Sequence, residues 1–161
     1  MTSRKLKTLP ELAAIVARER KRGRRIVLAN GCFDLFHVGH VRYLEAAKAR
    51  GDVLIVALNS DASVRALKGP GRPLLAEDER ARVLTAFVCV DYVTIFKERD
   101  VSRILHRLRP DVHAKGSDYT VKTVPERRVV LGYGGEIFIA GGPKVRSTSE
   151  VLKRIARRGA F

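Results

Sequence analysis

No stretch of this chain is uniformly apolar for the roughly 18 residues that a bilayer-spanning helix needs, so no transmembrane segment is expected. Cysteine occurs twice, as Cys32 and Cys89, too few for a disulfide framework and in keeping with a reducing, cytoplasmic compartment. The basic start Thr2-Ser3-Arg4-Lys5-Leu6-Lys7 leads into no long apolar stretch and does not read as a secretory signal. A Gly-x-Ser-x-Gly elbow, a His-Glu-x-x-His helix and a P-loop are all missing, which sets aside the hydrolases, metalloproteases and NTPases those motifs mark. No Gly-x-Gly-x-x-Gly follows the first strand, which argues against a dehydrogenase. No repeat with a period of roughly 20–50 residues is present, so the chain is not a solenoid.

Positive charge is what the chain has in excess. Lys and Arg number 32 against 17 Asp and Glu, a formal charge of +15. Much of it lies in two blocks, Arg18 to Arg25 and Lys153 to Arg158. A field of this sign favours anionic substrates, and it raises a basic nucleic-acid-binding module as an alternative of another class. Aromatics make up only 6% and form no stacking platform, which ranks that alternative behind an enzyme. A length of 161 residues with 45% hydrophobic composition suits one domain with a real core.

Apolar periodicity predicts helices and strands in alternation. Thr8 and Glu11 have capping-box spacing ahead of Leu12, Ile15 and Val16, and Gly23 ends that helix. Strands are expected at Ile26–Ala29, closed by the turn pair Asn30-Gly31, and at Val53–Leu58, Tyr92–Phe96, Val112–Ala114 and Glu136–Ala140. Between them lie a helix from the His37 region to near Gly51, a short one through Val64 and Leu67, and one opened by Glu77-Asp78-Glu79 that buries Val83, Leu84 and Phe87. Asp100 caps a helix carrying Val101, Ile104, Leu105 and Leu108, and Pro125–Leu131 is helical. Lys68-Gly69-Pro70-Gly71-Arg72-Pro73 is a loop, and Ser147 or Thr148 caps a last helix. This alternation implies a Rossmann-like, doubly wound α/β sheet of about five parallel strands with helices on both faces. The domain reading is a single unit over 1–161, with 1–24 an N-terminal helix and basic segment and 25–161 the core.

In such sheets ligands bind beyond the carboxyl ends of the strands. The polar segments Asn30–His40, Asn59–Asp61, Lys115–Tyr119 and Gly141–Ser149 each follow a strand, so they are expected to converge on one cleft. His37 and His40 fall on one face of a helix's first turn, where backbone amides and the helix dipole favour an anion, with Gly39 between them. A zinc site built on the two histidines is the competing reading; Cys89, His106 and His113 are too scattered to complete it. A cleft of cations and N–H groups suits phosphoryl or nucleotidyl transfer.

The string Gly31-Cys32-Phe33-Asp34-x-x-His37-x-Gly39-His40 resembles the signature of the HxGH nucleotidyltransferases. Lys115-Gly116-Ser117-Asp118-Tyr119 resembles the Lys-Gly-x-Asp-Tyr segment of that family's cytidylyltransferase-like branch, and Arg146-Ser147-Thr148-Ser149 resembles its phosphate loop. Asn59-Ser60-Asp61-x-Ser63 and Lys68-Gly69-x-x-Arg72-Pro73 look most like the D-glycero-D-manno-heptose 1-phosphate adenylyltransferases. Glycerol-3-phosphate cytidylyltransferase is the nearest alternative within the class.

The resemblance implies the following roles. His37, His40 and Lys68 are catalytic. Cys32, Phe33, Gly39, Lys115, Gly116, Asp118, Arg146, Ser147, Thr148 and Ser149 bind nucleotide. Asp34, Asp61 and Arg72 bind the acceptor, although Asp34 also suits pinning the glycine turn and Asp61 a helix cap. Lys144 or Arg146 replaces the arginine that relatives carry before the phosphate loop, and Arg80 matches a family arginine with a structural role open. Mg2+ arrives with ATP. The expected partners are ATP and a sugar 1-phosphate, a separate heptose kinase, and further copies of the chain.

Overall fold

The structure, a computed structural model, describes residues 4–140. Eleven elements follow one another: α1 (Leu9–Lys21), β1 (Ile26–Gly31), α2 (Val38–Lys48), β2 (Val53–Asn59), α3 (Asp61–Lys68), α4 (Glu77–Ala86), β3 (Tyr92–Phe96), α5 (Ser102–Leu108), β4 (Val112–Gly116), α6 (Arg127–Gly132) and β5 (Glu136–Ala140). All five strands pair in parallel, in the order β3-β2-β1-β4-β5. Strand order therefore reverses between β1 and β4, where adjoining loops leave on opposite faces and open a crevice.

The central strands are apolar throughout because both of their faces are covered. Ile26 and Leu28 of β1, with Val53, Ile55 and Ala57 of β2, pack against Leu12, Ile15 and Val16 of α1 and Ile104, Leu105 and Leu108 of α5. Val27 and Ala29, with Leu54, Val56 and Leu58, face Tyr43, Leu44 and Ala47 of α2 and Ala81 and Leu84 of α4. Each fully buried Leu, Ile or Val contributes about 1.5–3 kcal/mol, so these two layers carry most of the stability. Helix α1 opens with the expected capping box, the Thr8 N–H and hydroxyl donating to Glu11 Oε2 and the Thr8 side chain accepting the Glu11 amide.

Several boundaries differ from the sequence reading. β1 does not stop at Ala29: Asn30 and Gly31 continue it, paired with Ala57 and Leu58 of β2. Helix α2 ends at Lys48, short of Gly51. Lys68 closes α3 instead of lying on the loop, and Leu67 is exposed. In α4 the inward face is Arg80, Ala81 and Leu84, while Val83 is 38% exposed; a buried arginine is invisible to an apolar-stripe argument. Helix α5 starts at Ser102, one residue late, with the Ser102 amide donating to Asp100 Oδ1. No helix among the described residues is long and apolar enough to cross a membrane.

Candidate functional site

The first piece of the site is the start of α2. His37 is its N-cap, and the Gly39 amide donates to His37 Nδ1 at 3.1 Å, while the His40 amide donates to the His37 carbonyl. The Gly39 amide is therefore not bare, as the helix-start argument had it; the imidazole satisfies it. A ring nitrogen that accepts carries no proton, so the neutral ring bears its hydrogen on Nε2. The two imidazoles stack with centroids 3.9 Å apart and planes 24° apart. His40 also sits against Phe33 and Phe36, at 5.2 and 5.6 Å, with its Nδ1 buried and unpartnered. The edge it can offer a ligand is thus Nε2. Burial first, then the neighbouring His37 and Lys68, lowers the His40 pKa to about 4.

The turn before α2 is shaped by Phe33. Its φ of 45° lies in the left-handed region, a strain of order 1–3 kcal/mol for a non-glycine residue. Packing holds it there, because the buried ring lies against Phe36, His40 and Tyr43. Gly31 lets the same ring lie close: a Cβ there would be 3.1 Å from it, so the ring would have to shift by a few tenths of an ångström. The side chain of Phe33 is thus part of the core, and only its backbone could line the cleft.

Asp34 is 1% exposed and both its oxygens are engaged within the protein. Oδ1 accepts the Leu74 and Leu75 amides at 2.5 and 3.4 Å, and Oδ2 lies 2.6 Å from Arg72 Nε. It does pin backbone, as anticipated, but in the 72–75 loop and not in its own turn. Asp61 likewise has a protein partner: its Oδ1 accepts from Arg80 at 2.6 Å, while Ser60 does the capping of α3. Arg80 is fully buried and donates to four groups: Leu75 O, Cys32 O, Asn59 O and Asp61 Oδ1. It fastens the ends of β1 and β2, the start of α3 and the glycine-rich loop into one rim.

The carboxyl end of β4 supplies the other side. Lys115 is 5% exposed and pairs with Glu126 at 3.3 Å, under the ring of Tyr119 at 4.8 Å. Its Nζ donates to Asn30 Oδ1 at 3.2 Å, and His113 Nε2 reaches the same oxygen at 3.1 Å. Burial lowers the Lys115 pKa against the opposing pull of Glu126, and burial then Lys115 lowers that of His113 to about 3. Gly116 is open on its Cβ side, and Asp118 is exposed.

The structure thus brings together His37, His40, Cys32, Phe33, Asp34, Asp61, Lys68, Arg72 and Lys115 at the carboxyl edge. Lys68 acts electrostatically on both His40 and Cys32, and Cys32 on Lys115 and Tyr119. Lys144, Arg146, Ser147, Thr148 and Ser149 lie outside the described residues, as does the expected last helix. The sequence reading missed Asn30 as a side chain, together with His113, Glu126 and Tyr43. A usable signal existed for one of them: His113 stands two residues before the expected site residue Lys115 on a strand and so shares its face. Tyr43 stands on α2 and its hydroxyl donates to Ala114 O at 2.8 Å, tying the helix to β4.

The depressed imidazoles set an acid limit. An unfolded histidine takes up its proton near pH 6.5, whereas folded His40 and His113 resist to about 4 and 3. The unfolded state binds more protons in that window, so stability is full above pH 6.5 and falls as pH drops toward 3. The limiting slope is about 1.4 kcal/mol per pH unit for each ring. Urea midpoints measured from pH 7 to 4 should fall accordingly, and His113→Gln should flatten the decline. An unchanged slope in that variant would remove His113 from the account.

A family model for cytidylyltransferase-like proteins matches residues 28–140. The chain is 47% identical to Bifunctional protein HldE of Geobacter sulfurreducens, over 95% of this chain and 31% of that protein. It is 50% identical to Bifunctional protein HldE of Geotalea uraniireducens, over 94% of this chain and 31% of that protein. It therefore spans less than a third of the length of these curated relatives. A solved structure of the lipopolysaccharide core biosynthesis protein from Thermoplasma volcanium superposes with a TM-score of 0.61 at 26% identity, covering 74% of this chain and 98% of that one. A parallel sheet reversing at β1 and β4, with paired imidazoles at its carboxyl edge, and a family match over most of its length lead to one conclusion: the chain belongs to the cytidylyltransferase-like family of nucleotidyltransferases.

Proposed function

We propose that this chain transfers AMP from ATP to D-glycero-D-manno-heptose 1-phosphate, giving ADP-heptose and pyrophosphate. The observation that carries the reading is the stacked His37–His40 pair beside the strand-order reversal. The chain's segments at Asn59–Ser63 and Lys68–Pro73 resemble those of the heptose adenylyltransferases and lie on the same rim. Curated relatives at about half identity are named bifunctional; we assign the nucleotidyl-transfer step to the part this chain matches.

An oxygen of the sugar phosphate attacks the α-phosphorus in line. The bond from that phosphorus to the oxygen bridging it to the β-phosphate breaks, and pyrophosphate leaves with the electron pair. The attacking phosphate is already ionised, so no strong base is needed; stabilising the charge on the phosphoryl oxygens is the main task. His37 and His40 present Nε2 edges to the phosphate chain from the positive end of α2. Lys68 adds charge from the end of α3, and Arg72, held by Asp34, fixes the loop that covers the acceptor. Gly116, Asp118 and the backbone of Cys32 and Phe33 take the nucleoside side with Lys115 supporting it from beneath, Gly39 leaves room for the phosphate chain between the imidazoles, and Arg146 with Ser147, Thr148 and Ser149 takes the distal phosphates. Asp61 contacts the acceptor through the oxygen that Arg80 leaves unused. Mg2+ would enter as part of the Mg–ATP substrate and would supply positive charge to the phosphate chain. Among the described residues no group of three or more His, Cys, Asp or Glu is placed to hold a metal ion.

We place the reaction in the cytoplasm, downstream of a kinase activity that phosphorylates the heptose, and in a self-associated form of the chain. The test is a matrix of ATP, CTP, GTP and UTP against both anomers of heptose 1-phosphate and glycerol 3-phosphate, scored by pyrophosphate release. Release with ATP and one heptose anomer is expected. Release with CTP and glycerol 3-phosphate instead, or no release with any pair, overturns the reading.

A further inference from the structure

β1 is apolar from Ile26 to Ala29 and then places an asparagine on the face it shares with Ile26 and Leu28. His113 of β4 lies in register with Leu28, and Lys115 follows two residues on, so all three polar side chains meet on one sheet face. Asn30 Oδ1 sits 3.1 Å from His113 Nε2 and 3.2 Å from Lys115 Nζ. The ammonium is held by Glu126, the N-cap of α6, and an ammonium only donates. Two donors on one oxygen settle which end of the carboxamide faces β4: the reverse orientation would set NH2 against NH3+. His113 then donates through Nε2–H. The Asn30 NH2 group is turned away from both, and no acceptor for it exists among the described residues. The supporting groups are buried, His113 at 0%, Lys115 at 5% and Glu126 at 4%, whereas Asn30 is half-buried. A rigid, buried support under one accessible donor is the arrangement that positions a ligand contact.

Its location says which part of a ligand it meets. Asn30 stands at the β1–β4 reversal, on the face opposite α2 and its histidines. A nucleotide laid across the strand ends with its phosphates at α2 directs its nucleoside to this face. We propose that Asn30 Nδ2 donates a hydrogen bond to the nucleoside of the bound nucleotide, at a ribose oxygen or a base acceptor, with His113, Lys115 and Glu126 as positioning residues. The proposal rests on reading the cleft as a nucleotide site, and it is independent of the acceptor sugar.

The experiment is calorimetric titration of the whole chain with ATP and, separately, with inorganic tripolyphosphate, which carries the phosphate chain and no nucleoside. For Asn30→Ser, ATP should bind about tenfold more weakly than to wild type, the loss of one well-placed donor, while tripolyphosphate affinity stays within about twofold. Equal weakening of both ligands, or undiminished ATP affinity, overturns the proposal. Asn30→Asp keeps the Oδ1 acceptor and the side-chain volume, so it serves should the serine variant fail to fold. Its added charge acts on both ligands, and the ratio of the two affinities still reports the lost donor. ATP binding by wild type without transfer to heptose 1-phosphate would refute the acceptor assignment and leave the Asn30 result standing. Tripolyphosphate binding by wild type with no affinity for any nucleotide would refute the Asn30 contact itself.

Discussion

His40→Ala should lower kcat/KM for pyrophosphate release by about 10²- to 10³-fold, the usual cost of one preorganised donor to a phosphoryl or oxyanion centre. The size follows from how the ring is held. Phe33, Phe36 and His37 fix its plane, and its Nδ1 is buried, so little reorganisation separates the resting ring from one that donates through Nε2. The effect should fall on kcat more than on KM, because the α-phosphate gains charge density at its oxygens chiefly in the transition state. The same variant should decline less on acidification, since it removes a ring whose pKa is about 4 in the folded state. A variant with near-normal kcat would take His40 out of the reaction. His37→Ala should differ in kind: it also removes the cap of α2, costing about 1 kcal/mol of stability beside its effect on rate.

Arg80→Ala should destabilise the fold by about 3–5 kcal/mol, read from urea unfolding followed by circular dichroism, because it strips the partner from a network in a buried site. Asp61 loses its cation, and the carbonyls of Cys32, Asn59 and Leu75 lose their donor. Arg80→Lys should recover only part of this, because an ammonium keeps the charge but cannot span four acceptors that a planar guanidinium reaches at once. Activity should fall further than the residual folded fraction accounts for, since the four tied segments form the rim of the cleft. A loss below about 1 kcal/mol would mean that this rim is held by other contacts.

The fold was legible because parallel strands covered on both faces leave unbroken apolar runs, and Ile26–Ala29 and Val53–Leu58 are such runs. The histidine pair was legible because its spacing of three is local: with His37 capping α2 and His40 in its first turn, the two rings come together within one turn of chain. Residues whose role depends on distant partners were not. Arg80 matched a family arginine whose role stayed open until β1, β2 and the 72–75 loop closed around it, and Val83 took its place in the expected buried stripe. Asp34 read as a substrate or turn residue because its true partners, Arg72, Leu74 and Leu75, are some forty positions away. Asn30 read as a turn signal, since the dipeptide Asn-Gly usually is one; pairing with β2 carried the strand through it.

The sequence by itself determined the α/β architecture, the placement of polar loops at the carboxyl end of the sheet and the closeness of His37 to His40. All three follow from periodicity and short-range spacing, which backbone geometry converts directly into position. Only the tertiary structure decided what each charged group is paired with. Asp34 and Asp61 turned out to hold loops and arginines, and His113, Lys115 and Glu126 came together beneath Asn30. The physical reason is that a buried polar group must find a partner, and which partner is within 3 Å depends on how strands far apart in the chain lie side by side.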